Sequence, residues 1–357
     1  MERFYFIDFF RGCAVIFVSW LHIAENYKRI ASDGLEFYQL FKVFDFGRFG
    51  VILFFIISGF LLVGTLRDER HIAVKKYIIK RFFRLYPAFF LSVLIAYPVM
   101  KIWGCHFSVK DLLINLTMVP QFFNAPLIQW LYWTLEVQWI FYLLLAVLYF
   151  LGYLNNKKVL LSIFLLCVAI FTLSRLLHFR SSHVGLEELP HFLAIMFWAI
   201  IVRRFHDNSN EYQRVFYIAT IILFTIQIAA VTKYYMTHKM QFIPLMLSFI
   251  GAEVFFLIIF FFYHQNIQVK FPVIIHHFIR FIRKVGKISY SMYLFHAIVL
   301  HGMYLLIIHH FQDFKNLHLG LYVVVNLSLT IVVGWIMYHL VEKPFNTLGH
   351  KLASRVK

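Results

Sequence analysis

The stretch "RGCAVIFVSWLH", residues 11–22, decides the fold. It is apolar throughout except for an arginine at one end and a histidine at the other. On a helix turning about 100° per residue, the steps from Arg11 to His22 come to about three full turns, so the two side chains share a face. They stand roughly 16 Å apart along the axis. That separation rules out a direct hydrogen bond and suits two groups lining one channel at two depths. The apolar run around them extends from about Phe4 to Ala24, long enough to cross a bilayer. It lacks the short apolar core and small-residue cleavage site of a signal peptide, so it is expected to stay as a spanning helix.

The whole chain has the same character. Its 357 residues are 61% hydrophobic, 20% aromatic and 14% charged, with a mean hydropathy of +0.74. Those values exclude an ordinary soluble domain. Apolar runs of spanning length predict an all-α polytopic membrane protein of about ten transmembrane helices. They fall near residues 5–27, 49–66, 86–103, 128–151, 159–175, 189–202, 215–232, 242–263, 288–311 and 319–340. The sixth is short for a span. With the N-terminus in the cytoplasm, loops 67–85, 152–158, 203–214, 264–287 and the tail from 341 share that side. These segments hold roughly twice the Lys and Arg of the opposite side, which predicts an N-in, C-in topology. The formal charge of +17 is then explained by orientation and by contact with anionic membrane lipids, and no nucleic acid is required. There is no internal repeat or linker, so residues 1–357 read as a single integral-membrane domain. Cys13, Cys105 and Cys167 form no close-spaced set, which predicts neither a disulfide framework nor a thiolate metal site.

One loop is unusually basic. "RDERHIAVKKYIIKRFFRLYP", 67–87, ends in Arg81 and Arg84, one helical turn apart, and Pro87 reads as a first-turn residue of the third span. Two guanidiniums on one face at the membrane surface form a fork suited to phosphates. An ordinary positive-inside loop would have a similar composition.

Several segments, taken in chain order, together resemble the acyltransferase 3 family of integral-membrane O-acyltransferases. In that family the first span carries an arginine and a histidine separated by ten residues, as Arg11 and His22 are here. "GVILFFIISGFLL", 50–62, resembles its Ser-Gly-Phe stretch, and "RFFRLYP" resembles its R-x-x-R turn. "WTLEVQWIFY" supplies Trp133, Thr134 and Glu136, while "ISYSMYLFH", 288–296, and "HLVEKPF", 339–345, resemble its closing segments. "DFFRG" stands where the family often has Asp-Gly-Leu-Arg-Gly. Many relatives carry a fused hydrolase-like domain, and a chain stopping at Lys357 is expected to be of the stand-alone type.

The resemblance implies transfer of an acyl group, commonly acetyl from acetyl-CoA, to a hydroxyl of a carbohydrate or glycolipid at the cell membrane. It points to a bacterial inner membrane. Attack of an alcohol on a thioester needs a base, and histidine titrates nearest to working pH. His22, roughly 20 Å into the first span, would be that base, on the outer side of the midplane. Arg81 and Arg84 would hold the phosphates of CoA. Arg11 would hold the pantetheine arm or the pyrophosphate, since an extended arm of roughly 15 to 20 Å bridges to His22. Arginine and histidine would thus mark two ends of one donor tunnel.

Other ionisable groups carry less. A carboxylate at mid-membrane costs roughly 3 kcal/mol unless it faces protein or water, so Glu136 is a catalytic candidate, with a polar seam at the outer aromatic belt as its bland reading. Glu253 has no support from the resemblance, and His296 reads as structural. The pairs His276/His277 and His309/His310 point about 100° apart on a helix and lack partners three or four residues away, so no metal is predicted. There is no Walker loop, Rossmann fingerprint or G-x-S-x-G elbow. The alternative of a different class is a proton-coupled secondary transporter or flippase, which buried Arg, His and Glu would also suit. Oligomeric state is open.

Overall fold

The computed structural model describes residues 4–30, 44–65, 69–177, 188–238, 242–265, 272–309 and 318–356. Arg3, Arg67, His310 and both chain ends lie outside them. Among the described residues every regular element is helical. That is the solution a bilayer imposes on a segment without water, because a helix satisfies its own backbone. The elements are α1 (Tyr5–Ile30), α2 (Phe46–Leu62), α3 (Arg70–Ile102), α4 (Val109–Asn115), α5 (Trp133–Phe150), α6 (Lys157–Leu176), α7 (Leu189–Asp207), α8 (Ser209–His238), α9 (Phe242–His264), α10 (Val273–Lys287), α11 (Ser289–His309), α12 (Leu319–Met337), a π turn (Tyr338–Glu342) and α13 (Lys343–Ala353).

Among the described residues eight stretches are long and apolar enough to cross a membrane; they fall on α1, α3, α5, α6, α8, α9, α11 and α12. Two more of the expected spans take other forms. The apolar α2 is 17 residues long. The sixth, expected over 189–202, continues to Asp207 as α7 and is enclosed by protein on every side from His191 to Arg203. A helix apolar all round belongs in the centre of a bundle, and α7 packs there against α2, α6 and α8. Its polar end is neutralised internally: Arg203 donates to Asp207 at 2.9 Å and lies over the rings of Phe4 and Phe60.

Two expectations are corrected. The basic segment before residue 86 is not a loop, because α3 begins at Arg70 and Pro87 and Pro98 lie in its interior. Proline removes one helical bond and costs roughly 3 kcal/mol in an isolated helix. Here Ala73 and Tyr77 before Arg81, and Leu85, Ala88 and Phe89 after it, are buried along α3, and membrane helices tolerate proline where neighbours re-satisfy the backbone. The loop expected over 264–287 contains α10, buried only through Ile282, Val285 and Gly286.

Helix α10 crosses α1 at closest approach. A methyl group added to Gly286 would overlap the Asp8 carbonyl, and one added to Gly12 would overlap the carbonyl of Ile282. These two glycines let the backbones touch one turn from Arg11.

At the His22 end of the bundle, residues 103–132 fold back on the helices. Ser108 and Asp111 cap α4 reciprocally. The bonds Ser108 donates from its hydroxyl and backbone N–H hold the Asp111 carboxyl below its ordinary range. Asn115, fully buried, donates to the carbonyls of Asp111 and Pro126 and accepts from Ile128 N at 3.0 Å. This one amide sets the path of the chain into Trp130, which packs on His22.

Gly286→Ala should separate α10 from α1 and destabilise the fold by roughly 1–3 kcal/mol. Gly302→Ala, with open space around it, should be close to neutral. Thermal unfolding of the two variants in detergent checks the contrast.

Candidate active site

Helices α1, α2, α3, α5, α11 and α13 enclose a cavity of about 360 Å³. Arg11, from α1, lines it together with Lys80, Arg81 and Arg84 of α3 and His350 of α13. No Asp or Glu is among the described lining residues. The apolar wall comes from α2, with Val51, Phe54, Phe55 and Leu61. Tyr77, Tyr142, Tyr290 and Tyr293 supply hydroxyl-bearing rings.

Each cation is placed by its helix. Tyr77, Arg81 and Arg84 recur at helical spacing on one face of α3. The Arg81 guanidinium lies 5.5 Å from the Tyr77 ring centroid and 5.7 Å from that of Tyr142, an arrangement that favours a cation in low dielectric. Its Nε is buried without a hydrogen-bond partner. Arg11 pairs with Asp8 at 3.8 Å. Behind the cavity Glu342, in the π turn, accepts from Ser291 N at 3.2 Å and from its hydroxyl at 2.6 Å. It thereby caps an orphan N–H in the first turn of α11 and lies within electrostatic reach of Arg84 and Arg11. The same turn is tied to α3 by the Tyr290 hydroxyl, which donates to Leu85 O at 2.9 Å.

Away from the arginines, two hydroxyls of the lining meet a backbone carbonyl behind it. The Thr134 and Tyr293 hydroxyls are 2.6 Å apart, and both approach Leu131 O, at 3.1 and 2.9 Å. Beyond Tyr293 the His296 ring follows at 5.7 Å, and His22 stacks on His296 at 5.5 Å. His22 and Glu136 are not among the residues lining the cavity. The Thr134–Tyr293 pair and His296 stand between the cavity and His22, where a tunnel running from Arg11 to His22 was expected.

His22 has its own orienting partner. Its Nδ1 donates to Glu25 Oε2 at 3.0 Å, one turn along α1, which leaves Nε2 as the proton acceptor. The His22 side chain is 11% exposed and that of Glu25 is 60% exposed, so the pair borders the surface. Trp130 packs edge-on against the imidazole at 4.2 Å. His296 donates Nδ1–H to Tyr293 O at 2.6 Å, and its Nε2 is buried and unpartnered. Glu136 accepts from Gln121 N at 2.8 Å; its second oxygen is buried without a partner. Glu253 lies elsewhere, in a buried chain with Gln227 at 2.7 Å and, through Gln227, His191 at 3.2 Å. Among the described residues no group of three His, Cys, Asp or Glu is placed to hold a metal ion.

Lys80, His350, Asn346 and Tyr293 were not singled out from sequence, and Glu25 stood out there only in a lone i, i+3 pair with His22, too weak for a metal site. Glu25 had a readable signal in its i, i+3 spacing from His22, and Lys80 in its i, i+4 spacing from Arg84. Asn346 and His350 had none, since only the packing of α13 on α3 brings them to the cavity.

The model of a family described as an acyltransferase domain matches residues 4–339. The chain is 25% identical over 191 residues to the protein named "Putative acetyltransferase ORF330" of Acidianus two-tailed virus, a match covering 51% of this chain and 57% of that protein. The chain thus spans little more than half the length of that relative. No solved structure gives a significant match.

The hydroxyl pair offers a direct check on the geometry. In a double-mutant cycle, Thr134→Val and Tyr293→Phe should each destabilise the protein by about 1 kcal/mol and couple by roughly 0.5–1.5 kcal/mol. Thermal unfolding of both single variants and the double variant measures the coupling.

Proposed function

The chain belongs to the acyltransferase 3 family, and from that footing we propose that it transfers an acyl group, acetyl in the first instance, from acyl-CoA to a hydroxyl of a cell-surface carbohydrate or lipid-linked glycan. The observation that carries this reading is the cavity: five basic side chains, no carboxylate in the described lining, and a hydroxyl pair deep inside. Such a site suits a polyanion with an uncharged arm. Arg81, Arg84 and Arg11 meet the phosphates, the α2 wall holds the arm, and the thioester carbonyl comes to the Thr134–Tyr293 hydroxyls. One of those hydroxyls, turned away from Leu131 O, would donate to the oxyanion that forms there. The acceptor enters from the His22 side. As its oxygen bonds to the thioester carbon, its proton passes to His22 Nε2, a transfer that requires the His296 ring between Tyr293 and His22 to swing aside. The C–S bond then breaks, and the CoA thiolate leaves and recovers that proton. Glu25 holds the imidazole in the tautomer this requires and stabilises the imidazolium. Glu136, with one free oxygen, is suited to orient the acceptor.

The proposed arrangement has the donor in the cytoplasm, both termini on that side, and the whole chain acting as one membrane domain in a plasma membrane. The buried Glu253–Gln227–His191 chain is the feature that would favour a proton-coupled carrier. The two readings separate in detergent, where an acyltransferase releases free thiol from acetyl-CoA and a carrier has no compartment to act across.

His22→Gln keeps polarity and approximate size while removing the base. Acceptor-dependent thiol release from acetyl-CoA, with a cell-envelope glycan fraction as acceptor, should fall about 10²- to 10⁴-fold in this variant. Acetyl-CoA binding should be unchanged; a folded variant turning over at the parental rate would remove His22 from the mechanism. Sidedness has its own check. With Cys13, Cys105 and Cys167 replaced, a cysteine introduced at Asn124 should react with a membrane-impermeant maleimide added outside intact cells. Tags at residues 1 and 357 should stay protected.

A further inference from the structure

At about 360 Å³ the cavity is near the lower end of the range for small-ligand sites, roughly 300–1,000 Å³. With the arm against the α2 wall, the nucleotide end of the donor falls toward the solvent side of the cavity, where His350 is exposed. Two elements contribute that side. Lys80 projects from α3 one turn before Arg84, and Asn346 and His350, one turn apart on α13, face the same space. His350 lies within electrostatic reach of Lys80, Arg81 and Arg84. Among the described residues neither Lys80 nor His350 forms an ion pair, so both are available to a ligand. Helix α13 is held close to α3, since a methyl group added to Gly349 would press on the side chain of Phe83. Asn346 and His350 also lie beyond residue 339, where the family match ends.

CoA carries its phosphates in two places, a pyrophosphate along the arm and a 3′-phosphate on the ribose. The three arginines suffice for the pyrophosphate. Lys80 and His350 lie beside them, His350 on the exposed side, and a side-chain amide such as that of Asn346 can pair with the donor–acceptor edge of adenine. We propose that Lys80, Asn346 and His350 form a 3′-phosphoadenosine subsite, through which the protein selects CoA over donors that lack the 3′-phosphate. The inference rests on the reading of the cavity as an acyl-CoA site and adds to it a specificity element.

The test is equilibrium binding of CoA and of dephospho-CoA, which lacks only the 3′-phosphate, to the purified full-length protein. The parental protein should prefer CoA by roughly ten- to a hundredfold, the range of one or two charge-assisted contacts. The double variant Lys80→Ala/His350→Ala should bring the two affinities within about twofold of each other, mostly by weakening CoA. Asn346→Ala should weaken both ligands alike. Lys80→Gln with His350→Gln repeats the measurement if the alanine pair folds poorly. Equal affinity of the parental protein for both ligands overturns the subsite, as does a preference that survives both double variants. Arg81→Ala separates the two levels, because it should weaken both ligands. If it does so while the subsite variants keep the preference, only the subsite falls. If the parental protein binds neither ligand, the acyl-CoA reading falls with it.

Discussion

Gathering like charges inside a bundle of apolar helices is the constraint on which the rest of the structure depends. Arg11, Arg81, Arg84 and Lys80 border one cavity whose described lining holds no carboxylate. Two unit charges close to contact repel by a few kcal/mol at an effective dielectric of about 20, more than the ~0.5–2 kcal/mol a ring face returns. The rings of Tyr77 and Tyr142 therefore cannot hold the cluster alone. Asp8 and Glu342 stand behind it, each placed by an otherwise odd feature of the fold. Asp8 lies where α10 crosses α1 through two glycines, and Glu342 ends a π turn that reaches back to the first turn of α11. With both carboxylates outside the lining, the cavity keeps a positive field for an anion to complete.

The class of fold was legible because hydrophobic runs of spanning length leave one solution in a bilayer, and most helix ends fall within a few residues of the apolar runs. The failures share a cause. Before residue 86 the basic residues of α3 outweighed its buried Ala73, Tyr77 and Leu85, so charge was read as loop. Within 264–287 the same happened to α10, whose buried face amounts to three residues. Charge density reports which surface a segment borders, and it does not report whether the segment is helical.

In the site, Arg11, Arg81 and Arg84 were readable as a set because their spacing is helical or motif-like and a cation in a span demands a reason. Periodicity within one helix cannot show what stands between two helices. The distance between Arg11 and His22 along α1 suggested a continuous tunnel; the intervening Tyr293 and His296 come from α11, more than 250 residues later in the chain. Asn346 and His350 were illegible for the same reason, since their place at the cavity follows from how α13 lies on α3.

The enclosure of α7 also bears on how the molecule is assembled. Synthesis proceeds from the N-terminus, so α7 enters the bilayer before α8 and α9, two helices that complete the protein around it, have been made. Until then one side of it faces lipid. A helix with an ordinary polar stripe would have to wait outside, whereas the run from Phe192 to Val202 is apolar on every face and is at home in hydrocarbon before its partners arrive. Its polar side chains, His191 at one end and Arg203, Arg204, His206 and Asp207 at the other, lie near opposite ends of the helix, where they can reach the headgroups in the interim. The residues that make α7 the centre of the finished bundle thus also let it wait there unfinished.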